Sequence, residues 1–218
     1  MYLPAQFNET RTEVLHTLMR ARPLATLVTP SDSGLVANHL PMQTLDEPAP
    51  LGTLRGHIAR ANPLWRDYRG GQALAIFHGP QAYISPSFYP SKAKTGEVVP
   101  TWNYAVVHAA GTLRFIEDVK WLRSLVAALT EHHEKPRSQP WNIDDAPAEY
   151  IDNMLKHIVG FEFSIQSLTG KWKVSQNRSP ADRQGVIRNL QNADDADSHE
   201  IAAMLAAWEA GSDTPSAR

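Results

Sequence analysis

Thr101, Trp102, Asn103 and Tyr104 put a hydroxyl, an indole, an amide and a phenol in four successive positions. They head the strand-like run Val99-Pro100-Thr101-Trp102-Asn103-Tyr104-Ala105-Val106-Val107-His108. Side chains alternate faces along a strand, so Thr101 and Asn103 share one face and Trp102 and Tyr104 the other. A strand that only filled a core would be apolar here. This one offers stacking surface and ring-edge hydrogen bonds, which suit a flat, polar-edged ring beside a phosphate. The competing expectation is that Trp102 and Tyr104 are ordinary core aromatics.

Three further segments carry related chemistry. In Arg55-Gly56-His57-Ile58-Ala59-Arg60-Ala61-Asn62-Pro63 a strand runs out into a short helix, with two arginines, a histidine and an asparagine. Helix N-termini and arginine forks both favour phosphate, and Gly56 lets a ligand come close to the backbone. Two surface arginines followed by an Asn-Pro turn would read the same way. In Asn38-His39-Leu40-Pro41 polar residues interrupt an apolar strand. Pro41 has no N–H, which leaves an opening for the edge of a planar ligand. The alternative is an edge strand with an exposed His39. In Gly170-Lys171-Trp172-Lys173-Val174-Ser175-Gln176-Asn177-Arg178 a strand would place Lys171, Lys173 and Ser175 on one face. These cations and amides suit an anion or a carbonyl-rich ring, while protective lysines on a solvated edge are the alternative.

No metal site is expected. His132 and His133 are adjacent and point about 100° apart on a helix, so they cannot chelate together. His57, His78 and His108 lie on separate strands, with nothing in their spacing to make them converge. There is no GxSxG, no GxGxxG after a strand and no GxxxxGK[ST], so no catalytic residue is singled out.

Bulk properties narrow the function classes. The chain has 218 residues, with 21 Lys+Arg against 23 Asp+Glu and a net charge of −2. That balance gives no overall electrostatic footprint for nucleic acid or an anionic membrane. The absence of cysteine excludes disulfides, thiol catalysis and iron–sulfur ligation. The first residues lack the basic start and apolar core of a signal peptide, and no window approaches the roughly 18 apolar residues of a membrane span. These features lead to the expectation of a soluble, cytoplasmic protein.

The elements that must position these residues follow from periodicity. A helix is expected over residues 10–22, with Thr10 and Glu13 at capping-box spacing and Pro23 as its stop. Strands over 24–29 and 35–42 form a hairpin with a loop of about five residues. Further strands are expected over 51–58, 73–78, 82–85, 98–116, 161–165 and 171–175, with Gly79-Pro80 as a kink. One or two helical turns fall in 59–68, and 86–96 reads as a loop. Helices follow at 119–129, at 151–158 with Gly160 at C′, and at 179–190. A last helix carries Ile201, Met204, Leu205 and Trp208 on one face, with Asp197 and Glu200 as its capping pair. Short antiparallel strands interrupted by single helices argue for an α+β antiparallel barrel with flanking helices. Residues 1–190 form the domain, and 191–218 form an acidic segment and helical C-terminal extension with a frayed tail.

Taken together, the segments resemble the PaiB family of FMN-binding negative transcriptional regulators. The resemblance runs from Met1-Tyr2-Leu3-Pro4 through His39-Leu40-Pro41 and Gly56-His57-Ile58-Ala59-Arg60-Ala61-Asn62-Pro63. It continues through Ala75-Ile76-Phe77-His78-Gly79-Pro80, Tyr83-Ile84-Ser85-Pro86-Ser87 and Val99-Pro100-Thr101-Trp102-Asn103-Tyr104. It closes with Gly170-Lys171, Ser175-Gln176-Asn177-Arg178, Asp182-Arg183 and Gly185-Val186-Ile187. It implies the FMN-binding split β-barrel of pyridoxamine-phosphate-oxidase-like proteins, usually a homodimer with flavin between the two barrels. By position, residues 55–62 match the phosphate-binding strand end and turn. Residues 38–41 match the strand bordering the isoalloxazine, and residues 101–104 the strand lent across the dimer. The expected FMN-binding set is therefore Asn38, His39, Leu40, Pro41, Arg55, Gly56, His57, Arg60, Ala61, Asn62, Thr101, Trp102, Asn103, Tyr104, Lys171, Gln176 and Arg178.

The resemblance implies a regulator with flavin as ligand or redox sensor. The sequence itself supplies no helix-turn-helix, zinc finger or basic arm for direct DNA binding. The alternative is an FMN-dependent oxidoreductase on the same barrel, using a nicotinamide donor or a small aromatic substrate. A haem-handling protein and a barrel without flavin are further alternatives.

Overall fold

A computed structural model describes residues 1–32, 34–48, 50–68 and 70–212. The expected turn at residues 30–34 includes Ser33, and the expected frayed tail runs from Gly211. Residues 33 and 213–218 lie outside the described residues, whereas Gly211 and Ser212 are still part of the last helix rather than frayed. The elements run β1 (Asn8–Glu9), α1 (Thr12–Ala21), β2 (Leu24–Ser31), β3 (Gly34–Pro41), β4 (Gln43–Leu45), β5 (Thr53–Ala59) and α2 (Leu64–Asp67). They continue with β6 (Ala73–Ile84), α3 (Lys92–Thr95), β7 (Thr101–Ile116), α4 (Val119–Glu134), α5 (Ala148–Leu155), β8 (Ile158–Lys173), α6 (Pro180–Gln191) and α7 (Ala196–Ser212). The sheet order is β3-β2-β6-β7-β8-β5-β4, with β1 added on β8. The registered pairs β1–β8, β2–β3, β2–β6, β4–β5 and β5–β8 are antiparallel.

The chain divides into two compact units. The first comprises Thr12–Phe77 and His108–Leu168. Its β2–β3 hairpin is tighter than expected, because Ser31 pairs directly with Gly34. No periodicity marks β4, three residues paired with β5. Close backbone approach explains two glycines here. A Cβ on Gly111 would lie 2.0 Å from the Ser164 carbonyl oxygen, and one on Gly56 2.9 Å from that of Pro41 and 2.6 Å from the Phe161 ring. Helices α4 and α5 share a small core of Leu122, Ile143, Ile151 and Leu155. Asp118 caps α4, its carboxylate accepting from Trp121 N at 2.7 Å.

The second unit comprises Met1–Arg11, His78–Val107 and Thr169–Arg218. Ala82, Ile84, Tyr89, Val174, Val186, Ile187, Leu190, Ile201, Ala202 and Leu205 form its core, so α6 and α7 pack directly onto strand and loop residues. Ser179 caps α6 by accepting from Asp182 N at 3.2 Å.

Several expected boundaries move. Strand β6 runs unbroken through Gly79-Pro80, and β8 joins two expected strands into one of 16 residues. Gly160 is no helix cap. It lies inside β8 opposite His57, where a Cβ would meet the Trp121 ring at 2.3 Å. Helix α4 extends to Glu134, beyond the expected stop at 129. Residues 86–96, expected as loop, hold a 3-10 turn at Pro86–Phe88 and α3. Asp195 rather than Asp197 caps α7, its carboxylate accepting from Ser198 N at 2.8 Å.

Candidate functional site

In the second unit, β7 and the end of β8 bring Thr101–Tyr104 and Lys171–Arg178 together. Asn103 is fully buried and exchanges hydrogen bonds with Ser175, from Nδ2 to Oγ at 2.9 Å and from Oγ to Oδ1 at 3.2 Å. Ser175 stands at φ +72°, so it leaves the strand rather than sharing a face with the lysines. A non-glycine residue held there is uncommon and requires support from its surroundings. Gln176 supplies part of that support within its own turn. Its Oε1 accepts from Val174 N at 2.8 Å, and its Nε2 donates to the Trp172 carbonyl. Trp102 is 53 % exposed, which excludes the core-aromatic expectation for it, and it meets exposed Tyr83 edge to face at 6.0 Å.

The cations are the main electrostatic feature. Lys171 is only 8 % exposed, so it is no solvated edge lysine. Its Nζ donates to the Tyr2 carbonyl at 3.1 Å and lies 5.4 Å from the Tyr104 ring centroid. Lys173 Nζ donates to Thr101 Oγ1 at 2.6 Å and to the Trp102 carbonyl. The Arg178 guanidinium stacks on buried Tyr89 at 4.9 Å. Burial first, and then the charges of Lys171 and Arg178, push the Lys173 ammonium below the usual lysine range. Among the described residues the two lysines have carbonyl, hydroxyl and ring partners, while the Arg178 charge also acts on the Asp182 carboxylate, which takes its hydrogen bonds from Ser91 and Ser179. Like charges held together at partial burial are costly unless an anion compensates them. The expected FMN-binding set leaves out Lys173, although the sequence already groups it with Lys171 and Ser175 as cations and polar groups suited to an anion.

In the first unit, β3 and the turn after β5 bring Asn38–Pro41 and Arg55–Asn62 together. Asn62 Nδ2 donates to Asn38 Oδ1 at 2.8 Å, while Asn62 Oδ1 accepts from Leu64 N at 3.0 Å. Asn62 thus takes up the first N–H of α2, a helix of four residues, and the helix terminus offers little of the expected anion site. Arg55 pairs with Glu162 at 2.7 Å and lies over Trp121. Burial raises the Glu162 carboxyl, but hydrogen bonds from Arg114 and Arg55 outweigh it and leave the group below its usual range.

Arg60 uses its donors within the protein. Nε binds the Lys156 carbonyl at 2.8 Å, Nη2 the Ile158 carbonyl at 3.1 Å and Nη1 the Glu117 carboxylate at 2.5 Å. Ala61, next to it, sits in the turn after β5. His39 is exposed on β3, which ends the sheet order, with Nδ1 3.1 Å from Thr26 Oγ1. Leu40 is buried and Pro41 exposed. Two polar atoms of this region are buried without partners, Asn38 Nδ2 and His57 Nδ1. Burial alone pushes the His57 imidazolium below its usual range, so the ring is neutral near pH 7.

Residues 1–167 match the family described as "Putative FMN-binding domain". The chain belongs to this family. It is 32 % identical to the "Protease synthase and sporulation protein PAI 2" of Bacillus subtilis, over 94 % of this chain and 96 % of that one. An uncharacterized protein of Emericella nidulans is 35 % identical over 88 % of this chain and 91 % of its own. The FAD and heme binding protein of Mycobacterium smegmatis shares the fold, with a TM-score of 0.53 at 16 % identity over 76 % of this chain and 73 % of that one. The chain is a PaiB-like flavoprotein with a split β-barrel of the α+β class, and FMN is its cofactor. The orphaned Asn38 and His57 nitrogens of the first unit fit the polar edge of a planar group, and the clustered cations of the second unit fit an anion such as a phosphate. No helix among the described residues is long and apolar enough to cross a membrane.

Proposed function

We propose that the chain acts as a homodimer that holds FMN at its seam, with the flavin serving as ligand or redox sensor in a regulator. The observation that carries this reading is the cation cluster of Lys171, Lys173 and Arg178, in which three like charges stand together at partial burial and the two lysines have only carbonyl, hydroxyl and ring partners among the described residues. In this arrangement Asn38, His57 and Asn62 of one protomer face the flavin. The partner contributes its own Thr101–Tyr104 strand and cation cluster. Arg55 and Arg60 fix the strand end and turn through their internal pairs, and Gly56 keeps β5 close to its neighbours. Bound FMN supplies the redox chemistry; these residues bind it, orient it and set the charge around it.

Exposed apolar side chains support the second copy. Leu35 is 80 % exposed and Val36 40 % exposed on β3. Trp102, Tyr83 and Val99 are also exposed. Exposed large apolar side chains on each unit offer surface that association would cover. The regulatory part draws on the Bacillus relative, whose name concerns protease synthase and sporulation.

The purified protein is expected to be yellow, to release FMN and not FAD on denaturation, and to scatter light at twice the 24.2 kDa chain mass. A colourless monomer that fails to take up added FMN overturns the reading. Rapid anaerobic bleaching of the flavin by NADH or NADPH would favour a reductase over a sensor.

A further inference from the structure

The last helix, α7, is tied to the cation cluster through a partly buried ion pair. Arg183, in the second turn of α6, donates from Nε to Glu209 Oε1 at 2.7 Å. Its guanidinium lies 5.2 Å from the Trp208 ring centroid. Both Glu209 and Trp208 belong to α7. The Arg183 and Glu209 side chains are 15 % and 18 % exposed, and Gln184 donates to the second Glu209 oxygen at 2.5 Å. The other arm of the Arg183 fork, Nη1, donates to the Arg178 carbonyl at 2.7 Å. Arg178 closes the turn that holds Ser175, its N–H donating back to the Ser175 carbonyl at 3.0 Å.

We infer that Arg183 is a positioning residue, through which Glu209 and Trp208 of α7 fix the Ser175–Arg178 turn and set how tightly the cation cluster grips its anion. A guanidinium is planar and rigid, so anchoring one arm on α7 fixes where the other arm holds the Arg178 backbone. That backbone in turn sets the point from which the Arg178 side chain reaches the Tyr89 face. The arrangement gives the C-terminal helix a role in ligand affinity although it supplies no atom to the ligand. The inference rests on the reading that this cluster receives the anionic part of FMN.

The test is a double-mutant cycle on FMN affinity, measured by fluorescence titration of flavin-stripped protein. Glu209→Ala is expected to weaken FMN about tenfold, the scale of one charge-assisted contact, and Glu209→Gln to recover most of that loss. In an Arg178→Ala background, Glu209→Ala should cost nothing further, because its effect passes through Arg178. Equal losses in both backgrounds would mean general loosening and overturn the inference, as would no loss in either. If Arg178→Ala itself leaves affinity unchanged, the assignment of the cluster to FMN fails first. Truncating one partner of a buried pair can prevent folding. Arg183→Met with Glu209→Leu removes both charges, is expected to fold, and should show the same tenfold loss; normal affinity in that variant overturns the inference.

Discussion

Lys173 carries a cost in the free protein that a ligand would relieve. Its ammonium is half-buried beside Lys171 and Arg178, and its proton is held less firmly than an ordinary lysine's. Between the lowered value and the usual 10.5, the unfolded chain binds more protons than the folded one, so this group's contribution to stability rises with pH across that window. Anion binding works in the opposite direction, because the anion needs the charged form. FMN affinity should therefore decline on the alkaline side at a lower pH than an ordinary lysine would dictate, and Lys173→Met should remove that limb of the titration. The same substitution should weaken FMN by about ten- to a hundredfold, the range of a lost charge-assisted hydrogen bond. A pH-independent affinity up to the usual lysine range would show that Lys173 does not face the anion. His57 acts with acid instead. Its folded-state value lies below 6.5, so the stability it contributes is complete above 6.5 and is lost as pH falls through the lowered value. His57→Asn should flatten that acid slope in urea midpoints measured across pH.

At the scale of the element, hydrophobic alternation and helical periodicity mark most of the fold in the sequence, while the expected caps at Gly160 and Asp197 do not hold. The β2–β3 hairpin, the span of α6 and the Ile201–Leu205 face of α7 lie where periodicity puts them. Long-range pairing decided the rest. Gly79-Pro80 reads locally as a break, yet β6 continues through it as one strand of the sheet. Gly160 reads as a helix end, but the tertiary requirement is room for the Trp121 ring against β8. The site was legible to the same degree. Residue types single out Asn38, Asn62, Asn103 and Lys171 as candidates, whereas the internal commitments of Arg60 and Gln176 depend on partners that local sequence does not reveal. The glycines provide a graded test. A Cβ on Gly111 meets the rigid Ser164 carbonyl at 2.0 Å, while one on Gly160 meets a tryptophan ring that can shift. Gly111→Ala should therefore destabilise more than Gly160→Ala, with overpacking on the order of 1–3 kcal/mol at such sites. Urea unfolding midpoints of the two variants check the order, and the reverse order would mean that the β7–β8 approach is softer than the distances imply.

At the scale of the whole molecule, the question is what covers β3. This strand ends the sheet order and leaves Leu35 80 % and Val36 40 % exposed, with only β2 paired along it. Proteins usually protect edge strands with charge, proline or a covering element, because an open edge invites pairing with another chain. Here residues 34–37 are Gly-Leu-Val-Ala, with no charge among them. The proposed second copy would meet this need, since a closed two-fold interface buries the same patch on both subunits at once. Under this reading, dimerisation and FMN binding are linked, because each seam needs side chains from both protomers. Leu35→Asp should then shift the scattering mass from dimer toward monomer and weaken FMN in parallel, while leaving the circular dichroism of the fold unchanged. Raising the protein concentration should restore both together, as mass action requires of a ligand held between subunits. A folded monomeric Leu35→Asp variant that still binds FMN with wild-type affinity would separate the two properties and place the flavin wholly within one chain.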